Sequence, residues 1–222
     1  MAHEHTPEEP PSASGRDHKR PRVLLGVSGS VAAIKVPIIA KLLSEFCEVI
    51  VIATDASRKL LHVVQLEAMH LPVKGDEEEW REWKEVGDPV LHIELRRWAD
   101  CLVIAPLSAN TLAKCAQGLC DNLLTCVFRA WDFSRPLLVA PAMNTFMWDS
   151  PFTGAQLEVL QKLGVSIIPP ISKKLACGDV GNGALAEPAA IAEAVRGAIF
   201  PQKSRLQEIL LSAPEFPVVN EH

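Results

Sequence analysis

The chain has 222 residues, 48% of them apolar, which is enough for one substantial core and unlike a disordered composition. Its formal net charge of −5 and isoelectric point near 5.8 give no support to phosphate-backbone binding, so nucleic acid is not an expected partner. No apolar run approaches the roughly 18 residues that a membrane-spanning helix needs, so no such span is expected.

Residues 1–20 are polar, rich in proline and charge, and lack an apolar h-region, predicting a disordered tail rather than a secretory signal. Arg22–Val27 (RVLLGV) predicts a first strand, followed by the turn Ser28-Gly29-Ser30 and an apolar-periodic helix to about Glu45. The runs Glu48–Ala53, Cys101–Ala105, Leu137–Ala140 and Val165–Ile168 predict four further strands. Helical patterns occupy Ser108–Gln117, Asn122–Trp131, Thr153–Leu163 and Ala189–Ile199. This alternation predicts one α/β domain over residues 21–200, a mostly parallel sheet with helices on both faces. Lys74–Lys84 (KGDEEEWREWK) reads as a solvated acidic face without chemistry, and residues 201–222 as a loosely held tail. The six cysteines form no C-x-x-C pair and no cluster with histidine, so no metal site is expected and reduced thiols in a cytoplasmic protein are. Apart from Cys177, they lie in apolar segments and read as core packing.

Four segments carry candidate chemistry. Leu24–Ala33 (LLGVSGSVAA) lacks the full dinucleotide fingerprint and the P-loop lysine. It keeps a glycine, two hydroxyls and a helix start, which suits one phosphate monoester better than a pyrophosphate. Ala105–Thr111 (APLSANT) places Ser108, Asn110 and Thr111 at a second helix start, where a single cap would suffice, so two loops are expected to converge on one anion. His92, in DPVLHIELRRW, is followed by Glu94, Arg96 and Arg97; it reads either as structural or as a base, since imidazole titrates near neutral pH. In Leu175–Pro188 (LACGDVGNGALAEP), three glycines within six residues predict a mobile loop carrying Cys177. Past the strand at Leu137, the run LLVAPAMNTFMW presents Asn144, which reads equally as a helix cap and as a ligand contact at a strand end.

These segments, in this order and together with GLCDNLLT at Gly118–Thr125, resemble the homo-oligomeric flavin-containing cysteine decarboxylases over about residues 20–200. Within that family the chain is similar to the plant halotolerance-type members that act on 4′-phosphopantothenoylcysteine. The resemblance implies a flavodoxin-like, Rossmann-type fold, bound FMN, and a homotrimer with active sites at subunit boundaries. By resemblance, Gly29, Ser30 and Val31 hold the FMN phosphate region, Thr54 is a further flavin contact, and Ser108, Ala109, Asn110 and Thr111 form a second phosphate-side loop. Ala142 lies against the isoalloxazine. His92 matches the family's base, Asn144 its substrate-binding amide, Cys177 its proton donor, and Arg97 an arginine near the substrate. Family members without this thiol stop at an enethiol, so Cys177 implies the complete, redox-neutral reaction. Leu185 stands where a methionine is common, and the stretch 60–74 matches poorly. A non-catalytic regulator is a second reading, because fungal relatives bind and inhibit a protein phosphatase and plant relatives are linked to salt tolerance. A flavin prenyltransferase is a third, but that activity has no use for the Cys177 loop.

Overall fold

A computed structural model describes residues 20–61, 63–174 and 180–201; the predicted tails fall almost wholly outside these ranges, as does Cys177. Five strands stand where alternation predicted them: β1 (Arg22–Val27), β2 (Glu48–Ala53), β4 (Cys101–Leu107), β5 (Leu137–Pro141) and β6 (Ser166–Ile167). A two-residue outer strand, β3 (Val73–Lys74), completes a six-stranded parallel sheet ordered β3-β2-β1-β4-β5-β6. This is the doubly wound order, in which the winding reverses between β1 and β4 and leaves a crevice beyond their carboxyl ends.

The central strands are buried on both faces, and their side chains divide by the two-residue period of a strand. Val23, Leu25, Val27, Cys101, Val103 and Ala105 join one core, whereas Leu24, Leu102 and Ile104 join the other. Helices α1 (Val36–Ser44) and α10 (Pro188–Ile199) cover the first face. The opposite face is covered by α5 (Leu91–Trp98), α6 (Ala109–Gln117), α7 (Leu123–Arg129) and α9 (Pro151–Lys162). Complete burial stabilises each large apolar side chain by about 1.5–3 kcal/mol. Packing on the second face is close: a Cβ on Gly26 would stand 2.6 Å from Leu124 Cδ1.

Two regions depart from the sequence expectation. The acidic stretch is not simply a solvated face, because it forms α4 (Asp76–Glu82), whose carboxylates reach three neighbouring elements. Asp76 Oδ1 accepts from the Leu123 N–H at 2.6 Å, Glu78 pairs with Arg58 of α2 (Asp55–Arg58) at 2.5 Å, and Glu79 meets His92. Helix propensity alone does not show which charges will find partners. The second departure is in the glycine-rich stretch, where Val180–Ala184 forms β8, paired antiparallel with β7 (Ile171–Lys174) outside the main sheet. Its glycines permit close contact: a Cβ on Gly181 would lie 2.6 Å from Thr145 Oγ1, and one on Gly183 2.6 Å from the Met143 carbonyl oxygen. Among the cysteines, Cys47, Cys101 and Cys115 are buried as expected, but Cys126 is half-buried and Cys120 is exposed.

Candidate active site

A cavity of about 430 Å³ opens at the carboxyl ends of β1, β4 and β5. Ser28 makes the first two loops converge. Its buried hydroxyl donates to the Pro106 carbonyl at 2.8 Å and accepts from the Ser108 N–H at 2.7 Å, tying the turn after β1 to the turn after β4. Of the two hydroxyls noted after β1, Ser28 is therefore a brace, while Ser30 lines the cavity with Gly29 and Val31. Ser30 also caps the 3₁₀ turn Val31–Lys35, its hydroxyl accepting from the Ala32 N–H at 3.4 Å.

Across the cavity, Ser108, Ala109 and Asn110 contribute the start of α6. The Ser108 hydroxyl caps that helix by accepting from the Thr111 N–H at 3.4 Å. The first N–H groups of a helix have no intrahelical acceptor, and their partial positive charge favours an anion. Two such starts on one cavity form a donor set suited to a phosphate. Ala142 and Met143 continue the lining after β5, joined by Met147 of α8 (Thr145–Trp148) and by Gly183, Ala184 and Leu185. These apolar walls suit a flat ring system.

Asn144 fulfils both sequence readings. Its Oδ1 accepts from the Phe146 N–H at 2.8 Å, capping α8, and the residue also lines the cavity. Thr54 caps α2, its Oγ1 accepting from the Ser57 N–H at 3.3 Å, and Thr111 is buried beneath the start of α6; neither is among the lining residues.

His92 and Arg97 also do not line the cavity of their own chain. His92 Nδ1 lies 2.6 Å from Glu79 Oε1. Arg97, with a side chain 66% exposed, pairs with Glu94 at 2.8 Å. Arg96 Nε donates to the Ala130 carbonyl at 3.1 Å, fastening α5 to the end of α7. Burial, then the nearby Glu79 charge, pushes the Cys126 thiol up to about 11, so it stays protonated at neutral pH.

The sequence reading missed two cavity lysines. Lys35 and Lys173 both line the cavity and share Glu187, at 3.3 and 3.2 Å. Burial, then the second ammonium beside it, lowers the Lys35 pKa, whereas hydrogen bonds from Lys173 and Lys35 hold the Glu187 carboxyl below its usual range. Nothing in their local patterns distinguished them from surface lysines; one lies in a 3₁₀ turn after β1, the other in the ribbon strand β7.

A family model described as Flavoprotein matches residues 11–200. The chain belongs to the Flavoprotein family. It is 59% identical over 177 residues to phosphopantothenoylcysteine decarboxylase of Oryza sativa subsp. japonica, covering 80% of each chain. With phosphopantothenoylcysteine decarboxylase of Mus musculus it shares 46% identity over 200 residues, 89% of this chain and 96% of the mouse protein. Among solved structures it is similar to a cysteine-to-serine PPC decarboxylase variant complexed with pantothenoylaminoethenethiol, with a TM-score of 0.79 and 57% identity over 80% of this chain and 97% of that one. The FMN binding protein AtHal3 superposes with a TM-score of 0.76 and 58% identity, covering 80% of this chain and 96% of its own. This flavoprotein chain thus shares the α/β fold of those structures nearly throughout their length.

Proposed function

We propose that the chain decarboxylates 4′-phosphopantothenoylcysteine to 4′-phosphopantetheine, using FMN. The observation that carries this reading is the strand-end cavity, in a chain 57% identical to a decarboxylase solved with pantothenoylaminoethenethiol. The lining fits FMN by its donor set: Gly29–Val31 and Ser108–Asn110 would hold the phosphate, and Ala142 would pack against the ring. When bound, FMN accepts an electron pair from the substrate and later returns it.

A cysteine-derived carboxylate has no electron sink of its own, and oxidation of CH₂–SH to a thioaldehyde creates one. In that oxidation His92 accepts a proton, and Asn144 orients the carboxylate that departs as CO₂ to leave an enethiolate. Cys177 donates the proton that completes the saturated thiol. Its role, and that of Arg97 toward the substrate, rests on the family resemblance.

The same reading makes the protein a homotrimer. His92 is not among the residues lining its own chain's cavity, which supports a site completed by His92 of the partner subunit. The exposed apolar surface at the cavity supports such a boundary: Val31 and Ile34 line it and are each 51% exposed, and the adjacent Phe146 is 80% exposed. Purified protein is expected to be yellow and to release FMN; a colourless protein that cannot be reconstituted overturns the flavoenzyme reading. Cys177→Ser is expected to release CO₂ from the substrate while accumulating an oxidised enethiol product. Normal product at the normal rate would remove Cys177 from the mechanism.

A further inference from the structure

We infer that Glu79 is the positioning residue for His92: it holds the imidazole in the tautomer with hydrogen on Nδ1, leaving Nε2 as the proton-accepting atom. This rests on the reading of His92 as the base. The geometry is that of a carboxylate–histidine pair, with Glu79 Oε1 2.6 Å from His92 Nδ1. The Glu79 side chain is 11% exposed and that of His92 is 27% exposed. An ionised carboxylate only accepts hydrogen bonds, so a neutral ring partnered with it places its hydrogen on Nδ1. Nε2 makes no hydrogen bond among the described residues and is the nitrogen left available. When Nε2 takes a proton, the carboxylate is already in place to stabilise the resulting imidazolium.

The rest of α4 explains why Glu79 can be held at this distance. Gly75 lets the chain pass close to α2, since a Cβ there would stand 2.7 Å from Arg58 Nη2 and 2.9 Å from the Ala53 carbonyl oxygen. Asp76 then fastens the start of α4 to the Leu123 N–H, and Glu78 fastens its middle to Arg58. Asp76 and Glu78 therefore clamp the helix on which Glu79 is presented, and Arg96 anchors the facing helix at Ala130. Glu77 points to solvent and has no part in the clamp.

The test compares holoenzyme, Glu79→Gln and His92→Asn, each labelled with ¹⁵N-histidine and carrying its flavin. The His92 ring is assigned as the signal lost in His92→Asn. In the native enzyme the neutral ring is expected to carry its hydrogen on Nδ1. In Glu79→Gln that preference is expected to be lost, with kcat down roughly tenfold or more and KM and flavin content within roughly twofold of native. A native ring protonated on Nε2 overturns the inference even if the variant fails to fold. So does a Glu79→Gln enzyme with native kcat, or one whose activity falls while the ring keeps its Nδ1 hydrogen. If His92→Asn destroys turnover and Glu79→Gln does not, only the positioning role falls. If His92→Asn turns over at the native rate, the base assignment falls, and the catalytic role of Glu79 with it.

Discussion

The loops after β1 and β4 and the helix pair α4–α5 are each assigned to one reaction, yet only the loops face a cavity within their own chain. The loops are joined through the buried Ser28 hydroxyl. The helix pair is no less ordered: Glu79, Asp76 and Arg96 tie it to its surroundings, but His92 is not among the residues lining the cavity. One region therefore builds a cleft, and under the proposed function the other would present a proton acceptor across a subunit boundary.

The largest expected effect tests that division directly. His92→Asn is expected to lower kcat by roughly 10²–10⁴-fold while retaining FMN, because general-base catalysis contributes on that scale. Assembled together, His92→Asn chains and Asn144→Asp chains should recover part of the activity, since some boundaries combine a native His92 with a native Asn144. Recovery of none would mean that the two residues act within one chain, and the comparison would fail.

Asn144→Asp is expected next, with substrate KM raised roughly 10–100-fold and flavin content unchanged. The new carboxylate faces the substrate's own, while an aspartate still caps α8 in place of the amide oxygen. Loss of thermal stability without a change in KM would assign Asn144 to capping alone. Gly183→Ala is expected to destabilise by about 1–3 kcal/mol in a denaturant titration, because its φ is +103° and its Cβ would press on the Met143 carbonyl. Unchanged stability would show that the β7–β8 ribbon yields easily. The smallest effect is expected from Glu187→Gln, which frees two cavity lysines from their shared counter-charge. At low salt the KM for the anionic substrate should fall by roughly twofold, and the change should fade as salt is added.

The strands and most helices were legible because their side chains repeat with the periods of the structures they form. The cavity loops were legible because small and hydroxyl-bearing residues followed two predicted strands. What the pattern did not show was direction. Thr54 and Thr111 look like loop donors in the sequence; in the structure Thr54 caps α2 and Thr111 is buried in the first turn of α6. Lys35 and Lys173 lie more than a hundred residues apart and become one charge cluster only when β7 returns beside the first helical turn.

The amino-acid sequence by itself determined the α/β frame, a mostly parallel sheet covered on both faces, and the chemistry available at its strand ends, because local periodicity and residue type specify both. Tertiary structure decided which of those groups meet. It turned an acidic run that reads as solvated into the clamp around His92, and a glycine-rich stretch that reads as loose into a paired ribbon against the cavity. The physical reason is the same in both: a charge, or a missing Cβ, acquires its role from the atom brought within a few ångströms of it, and the chain positions that supply those atoms are remote in sequence.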